Sequence, residues 1–177
     1  QGIAHPGKIG LQGHSWSGFQ TSYLVTKTDL FTCANIGAPI TDMVTGYLGI
    51  RGGSGLPRYF MYEEWQSRMG KSLWEAKDKY LASSAIVEAD KIHTPLLIWH
   101  NDKDEAVAYE QGRALYLAMR RLQRPAWHLN YKGEGHFLGN QAAQKDWTIR
   151  MKQFFDYYLK GTKEPRWMKE GIHLRER

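Results

Sequence analysis

Breaking an acyl bond with a side chain takes a nucleophile, a base to remove its proton and an acid to hold that base in one tautomer. Three places in this sequence supply those types. Gly13-His14-Ser15-Trp16-Ser17-Gly18 follows a short apolar run and precedes a helical one, the setting of a sharp strand-to-helix turn that carries a nucleophilic serine. Such a turn tolerates only small residues two positions either side of the serine. Gly13 meets that demand; Ser17 stands where glycine is usual, with Gly18 next, and is still small. The turn is expected to expose the Ser15 hydroxyl and to aim the Trp16 amide at an oxygen gaining negative charge.

In this arrangement the acid follows the serine along the chain and the histidine comes last. His100-Asn101-Asp102-Lys103-Asp104-Glu105 lies just past the apolar run that ends at Trp99, and the residues alone leave Asp102 and Asp104 both eligible. Of the seven histidines, His5 and His14 precede the nucleophile and His93 precedes the acid's strand. His100 ends that strand, His128 lies inside a strand and His173 is in the tail. His136, in Gly133-Glu134-Gly135-His136, remains as the base. His100, Asp102, Asp104 and Glu105 lack the helical His pair or calcium-loop spacing of a metal site, so neither a metal nor a cofactor is expected.

The elements that must hold these residues follow from the alternation of short apolar runs with amphipathic stretches, the mark of strands joined by helices in a mostly parallel sheet. Strands are expected at Lys8 to Gln12, Phe31 to Ile36, Pro95 to His100 and Trp127 to Tyr131. Helices are expected from about Phe19 to Lys27, along Leu115, Met119 and Leu122 with Arg113, Arg120 and Arg121 on the wet face, and along Trp147, Met151, Phe154, Phe155 and Tyr158. Ser72-Leu73-Trp74-Glu75 reads as a capping box opening a helix to about Leu81, and the Gly-rich stretch from Gly46 to Arg58 as a loop. The order is strand, helix, strand, helical insertion, strand, helix, strand, helix, and the helices supply the crossovers that parallel pairs require.

The bulk numbers fit one globular unit: 177 residues, 42% hydrophobic and 24% charged. No run approaches the roughly 18 apolar residues of a membrane helix. No leader pattern is visible, and the compartment stays unassigned. The net charge of +6 is spread over single Lys and Arg residues, which argues against a nucleic-acid footprint. Cys33 is the only cysteine, so neither a disulfide framework nor a multi-cysteine zinc site forms within the chain. Its apolar setting predicts a buried thiol.

The ordered set Gly13-His14-Ser15-Trp16-Ser17-Gly18-Phe19, Ala89-Asp90-Lys91-Ile92-His93-Thr94-Pro95-Leu96-Leu97-Ile98, Asp104-Glu105-Ala106-Val107 and Gly135-His136 resembles the catalytic domain of the prolyl oligopeptidase family of serine peptidases. The likeness runs from about Pro6 to the tail, where Lys160-Gly161 and Trp167-Met168 share it. It implies an α/β-hydrolase fold and peptide substrates. It also selects Asp104 as the acid, three residues before Val107, and implies that Val107 borders the pocket for the residue preceding the scissile bond. Ile40 and Met43 are implied as walls of that pocket and Tyr47 as a further contact; ordinary core is the competing reading of all of them.

Only 14 residues precede Ser15. In the family, strands of the same sheet, a tyrosine that is the second oxyanion donor and a β-propeller come earlier in the chain. Residues 1–177 are therefore expected to be a single partial domain, the C-terminal portion of the fold with its upstream strands missing and residues 161–177 as a tail. The implied partner is the rest of a parent chain or another copy of this one. An esterase on the same fold, or an inactive fragment serving as a structural part of a larger peptidase, remain as alternatives.

Overall fold

Four short apolar runs form the four strands of a single sheet. The structure, a computed structural model, describes residues 2–172; His173 and the basic residues after it lie outside the described part. The strands are β1 (Gly10–His14), β2 (Cys33–Gly37), β3 (Leu96–Trp99) and β4 (Ala126–Leu129). All pairs are parallel and the order is β1-β2-β3-β4. Each strand begins or ends within two residues of its expected limits. β2 and β3 are buried at every position, as expected of inner strands covered on both faces.

Period-2 alternation divides the strand side chains between two cores. Ala34, Ile36, Leu96, Ile98 and Ala126 face one layer with Val25, Ile92, Leu115 and Met119. That layer holds α1 (Trp16–Leu24), a 3-10 segment (Ala85–Lys91) and α5 (Glu110–Arg121). Cys33, Leu97, Trp99 and Leu129 face the other layer with Phe154 and Met168, from α6 (Gln141–Lys160) and α7 (Arg166–Glu170). Burial pushes the Cys33 thiol up to about 12, so it acts as a small apolar group. Asn140 caps α6 through the amides of Ala142 and Ala143, and Gly161 ends it in the left-handed region at φ 68°, which glycine adopts without a Cβ penalty.

Several details depart from the sequence expectation. The chain beyond residue 161 is not a loose tail as far as residue 172: α7 docks on the sheet, Met168 is buried, and the Trp127 indole donates to the Met168 carbonyl at 2.7 Å. Glu75 does reach back to the Ser72 amide at 3.0 Å. The Ser72 hydroxyl, however, donates to Glu75 rather than capping an amide, and the helix opens later as α4 (Lys77–Ala82). Leu122 falls past the end of α5 and is 39% exposed. The insertion between β2 and the 3-10 segment also contains α2 (Met43–Tyr47) and α3 (Tyr59–Glu63). Its glycine-rich loop is closed by an antiparallel bridge between Ile50 and Pro57.

Candidate active site

Strand register aligns the four C-terminal strand ends. His14 pairs with Gly37, Gly37 with Trp99 and Trp99 with Leu129, so the loops leaving all four strands share one rim. Open parallel sheets place their reactive loops at this rim.

Ser15 sits immediately past β1 with φ 61° and ψ −121°, a strained conformation for a residue with a Cβ, costing about 1–3 kcal/mol. The surroundings hold it there. The Ser15 amide donates to the Gly37 carbonyl at 2.9 Å. The Ser17 hydroxyl accepts from the His14 amide and donates to the His14 carbonyl, both at 2.8 Å. Ser17 therefore stitches the turn together with a hydroxyl that glycine lacks. At Gly13 a Cβ would lie 2.1 Å from the Ser17 carbonyl oxygen, and at Gly18 2.5 Å from that of Gly37, so both positions must be glycine. Trp16 opens α1, where the first amides have no intrahelical acceptor.

Asp104 and His136 complete a continuous polar chain. His136 Nε2 is 2.9 Å from Ser15 Oγ, and His136 Nδ1 is 2.8 Å from Asp104 Oδ2. The other carboxylate oxygen, Oδ1, accepts from the amides of Ala106 and Val107 at 2.8 Å each. Burial by itself would push the Asp104 carboxyl up. The imidazole N–H groups of His100 and His136 and the Val107 amide outweigh it and hold the carboxyl well below the usual carboxylate range. Asp102, two residues earlier, is exposed, and its Oδ1 accepts from the Gly133 amide at 2.7 Å. Of the two aspartates, only Asp104 meets His136.

Three strand-to-strand steps of about 4.8 Å separate β4 from β1, so the loop carrying His136 must reach back across the rim. Asn101, buried just past β3, bridges it by donating to the Gly135 carbonyl at 2.8 Å and accepting from the Tyr131 amide at 3.1 Å. His14 anchors its far end: its Nε2 is 2.9 Å from the His136 carbonyl oxygen, and its ring stacks on Trp99 with centroids 5.0 Å apart. A Cβ at Gly37 would collide with both rings. Burial, followed by the nearness of His136, lowers the His14 pKa, and with a carbonyl oxygen as its partner Nε2 is the donor. Chain order set His14 aside in the sequence; its position at the same strand end as Ser15 was the signal available for it.

Val107, Ile40, Met43 and Tyr47 come together in one buried cluster with Met61, Tyr62 and Tyr80, against Trp16 and Phe19. The Tyr47 hydroxyl donates to Glu63 Oε1 at 2.5 Å. One cleft meets the polar chain at His136, and a second borders Trp16. The first, of about 420 Å³, is lined by His136, Phe137, Lys103 and Glu105. The other, about 500 Å³, is lined by Trp16, Met43, Gln66 and Met69. Of the four pocket candidates only Met43 reaches a cleft wall; the rest lie behind it as core. Among the described residues no group of three or more His, Cys, Asp or Glu side chains is arranged to hold a metal ion, and no helix is long and apolar enough to cross a membrane.

Residues 1–162 match the profile of the prolyl oligopeptidase family. Over 170 residues the chain is 27% identical to dipeptidyl aminopeptidase BIII of Pseudoxanthomonas mexicana, covering 93% of this chain and 24% of that protein. An acylaminoacyl peptidase of Pyrococcus horikoshii superposes with a TM-score of 0.74 at 20% identity over 96% of this chain and 27% of its own. A puromycin-hydrolyzing peptidase of Mycobacterium tuberculosis gives a TM-score of 0.79 at 23% identity, over 93% and 24%. The chain thus spans about a quarter of the length of each of these relatives, and the fold it shares with the two solved structures is that of α/β-hydrolase domains of peptidases.

Proposed function

The chain belongs to the prolyl oligopeptidase family of peptidases, and from that premise we propose that it is the catalytic part of a serine peptidase acting on short peptides through an acyl-enzyme. The observation carrying this reading is the unbroken relay from Ser15 Oγ through His136 to Asp104, at 2.9 and 2.8 Å. Ser15 Oγ attacks the scissile carbonyl carbon while His136 Nε2 takes its proton. The carbonyl oxygen gains its charge against the Trp16 amide at the positive end of α1. Asp104 holds the Nδ1–H tautomer and stabilises the imidazolium. His136 then protonates the leaving amine, and a water activated by the same base releases the acyl group.

We propose that Met43 walls the pocket for the residue before the scissile bond, with Ile40, Tyr47 and Val107 packed behind it as its backing. We further propose that these residues work as part of a longer peptidase that supplies a second oxyanion donor and covers β1, whose outer edge pairs with no other described strand. The names of the relatives, a dipeptidyl aminopeptidase, an acylaminoacyl peptidase and a puromycin-hydrolyzing peptidase, favour small substrates over folded proteins. The test is kcat/KM of the full-length enzyme on dipeptidyl and N-acyl-aminoacyl p-nitroanilides beside p-nitrophenyl acyl esters, with Ser15→Ala as the blank. Amide turnover that vanishes in Ser15→Ala supports the peptidase. Turnover confined to esters would make this an esterase, and no turnover at all would leave it a structural part.

A further inference from the structure

His100 is wholly buried, and the relay described above does not use it. Its Nδ1 accepts from the Gly112 amide of α5 at 3.2 Å. That places the ring proton on Nε2, which faces the Val107 carbonyl at 3.1 Å and lies 3.2 Å from Asp104 Oδ2. Asp104 Oδ2 is thus approached by two imidazoles, His136 at 2.8 Å and His100 at 3.2 Å. Val107 is held on both sides of its backbone, its amide by the Asp104 carboxylate and its carbonyl by His100. The helix gives way to make this possible. A Cβ on Gly112 would lie 2.6 Å from His100 Nδ1 and 2.9 Å from its Cβ, and glycine inside a helix costs about 1 kcal/mol against alanine.

We propose that His100 is a positioning residue that couples α5 to the Asp104 carboxylate, fixing the direction of Oδ2 and sharing its negative charge with His136. The inference rests on the reading of Asp104 and His136 as acid and base. Without the Nε2–H group, Oδ2 loses one of its two imidazole neighbours and is held more loosely, and its charge acts on His136 alone. Two effects follow. The carboxylate samples misaligned positions, and a misplacement of about 1 Å costs on the order of 10²-fold in rate. The undivided carboxylate charge also acts more strongly on the His136 imidazolium formed during turnover, so the pH dependence of kcat differs from the parent's. The other titratable groups around this pair are Tyr109, with its ring 5.8 Å from His100, His128 on β4, which feels His100 and Arg113, His14, which feels Asp104 and His100, and Asp102, which acts on Tyr109. All are common to parent and variants.

His100→Asn and His100→Gln in the full-length enzyme separate positioning from bulk structure. The Asn amide reaches the Nδ1 position only, whereas the Gln amide reaches the Nε2 position and supplies a donor there, giving up the acceptor for the Gly112 amide. Turnover is expressed per site titrated with a fluorophosphonate, so that loss of folded enzyme is divided out. His100→Asn is expected to lower kcat by on the order of 10²-fold with little change in KM, and to displace the acidic limb of the kcat pH profile from the parent's. His100→Gln is expected to restore most of both. A purely structural His100 would lower the titre and leave kcat per site and the limb where they are; that result overturns the proposal. Failure of the underlying reading shows separately, as a parent enzyme whose labelling does not depend on Ser15 or His136.

Discussion

Asp102 and Asp104 stand two residues apart in the same loop, and their surroundings send them to different work. Asp104 has all its acceptor directions occupied by His136, His100, Ala106 and Val107, while Asp102 holds the Gly133 amide at the turn before His136. Asp104→Asn should reduce kcat by on the order of 10⁴ by permitting the wrong His136 tautomer. Asp102→Asn keeps an oxygen for Gly133 and should cost less than about tenfold, since a preserved loop anchor leaves the relay within the 1 Å tolerance. Steady-state kinetics on both variants check this, and comparable losses would refute the division of roles. Ser17→Ala removes an exposed pair of hydrogen bonds to His14. It should cost about 1 kcal/mol in thermal stability and keep most of the Ser15 labelling. The candidate nucleophile and base were legible in the sequence because chain order and strand ends constrain them. His14 and His100 were not, because their partners lie across the rim or on a helix, at separations no local pattern reports.

At the scale of elements, α5 and β4 carry the clearest departures from local preference. Gly112→Ala improves the intrinsic helix propensity of α5 by about 1 kcal/mol, but the added Cβ meets the His100 ring. The substitution should therefore lower the melting temperature and the turnover together; a stabilised, fully active variant would show that α5 does not seat His100. On β4, burial first, then His100 and Arg113, push the His128 imidazole down to about 4, and its Nε2 is buried with no hydrogen-bond partner among the described residues. An unfolded histidine protonates near 6.5. As pH falls from about 6.5 to 4 the unfolded chain takes up a proton that the folded one refuses, and stability declines by on the order of 3 kcal/mol. His128→Phe, packed between Tyr109 and Tyr116, should flatten the melting temperature across that window, as a pH series of thermal melts would reveal. Asp104 acts at lower pH, because its depressed carboxyl loses its contribution only once it protonates. Periodicity exposed the strands and the long helices. It missed the docking of α7, which depends on Trp127 finding the Met168 carbonyl 41 residues away, and it overread Ser72, whose hydroxyl is taken by Glu75 rather than by an amide.

For the whole molecule, the sheet is covered well on its two inner strands and poorly on β1, where Gly10 and Gln12 are exposed. The insertion after β2 adds Ile50, Leu56, Trp65 and Trp74, exposed by 69, 57, 63 and 69%. Unpaired strand edges and apolar patches of this kind seek cover. Residues 1–177 produced alone should therefore sediment as dimers or larger species and turn over substrate poorly beside the full-length enzyme. A monodisperse monomer with the full-length enzyme's activity would contradict that account.

Ser15 reacting as the one activated hydroxyl of the molecule is the event on which the proposed chemistry depends. Labelling with a fluorophosphonate, followed by intact mass and peptide mapping, reads it out directly. The expected result is a single adduct on the peptide carrying Ser15, absent from Ser15→Ala and strongly slowed in His136→Gln, with Ser17 unmodified in every case. An adduct elsewhere, or labelling of Ser15 that is indifferent to His136, would contradict the relay from Ser15 through His136 to Asp104.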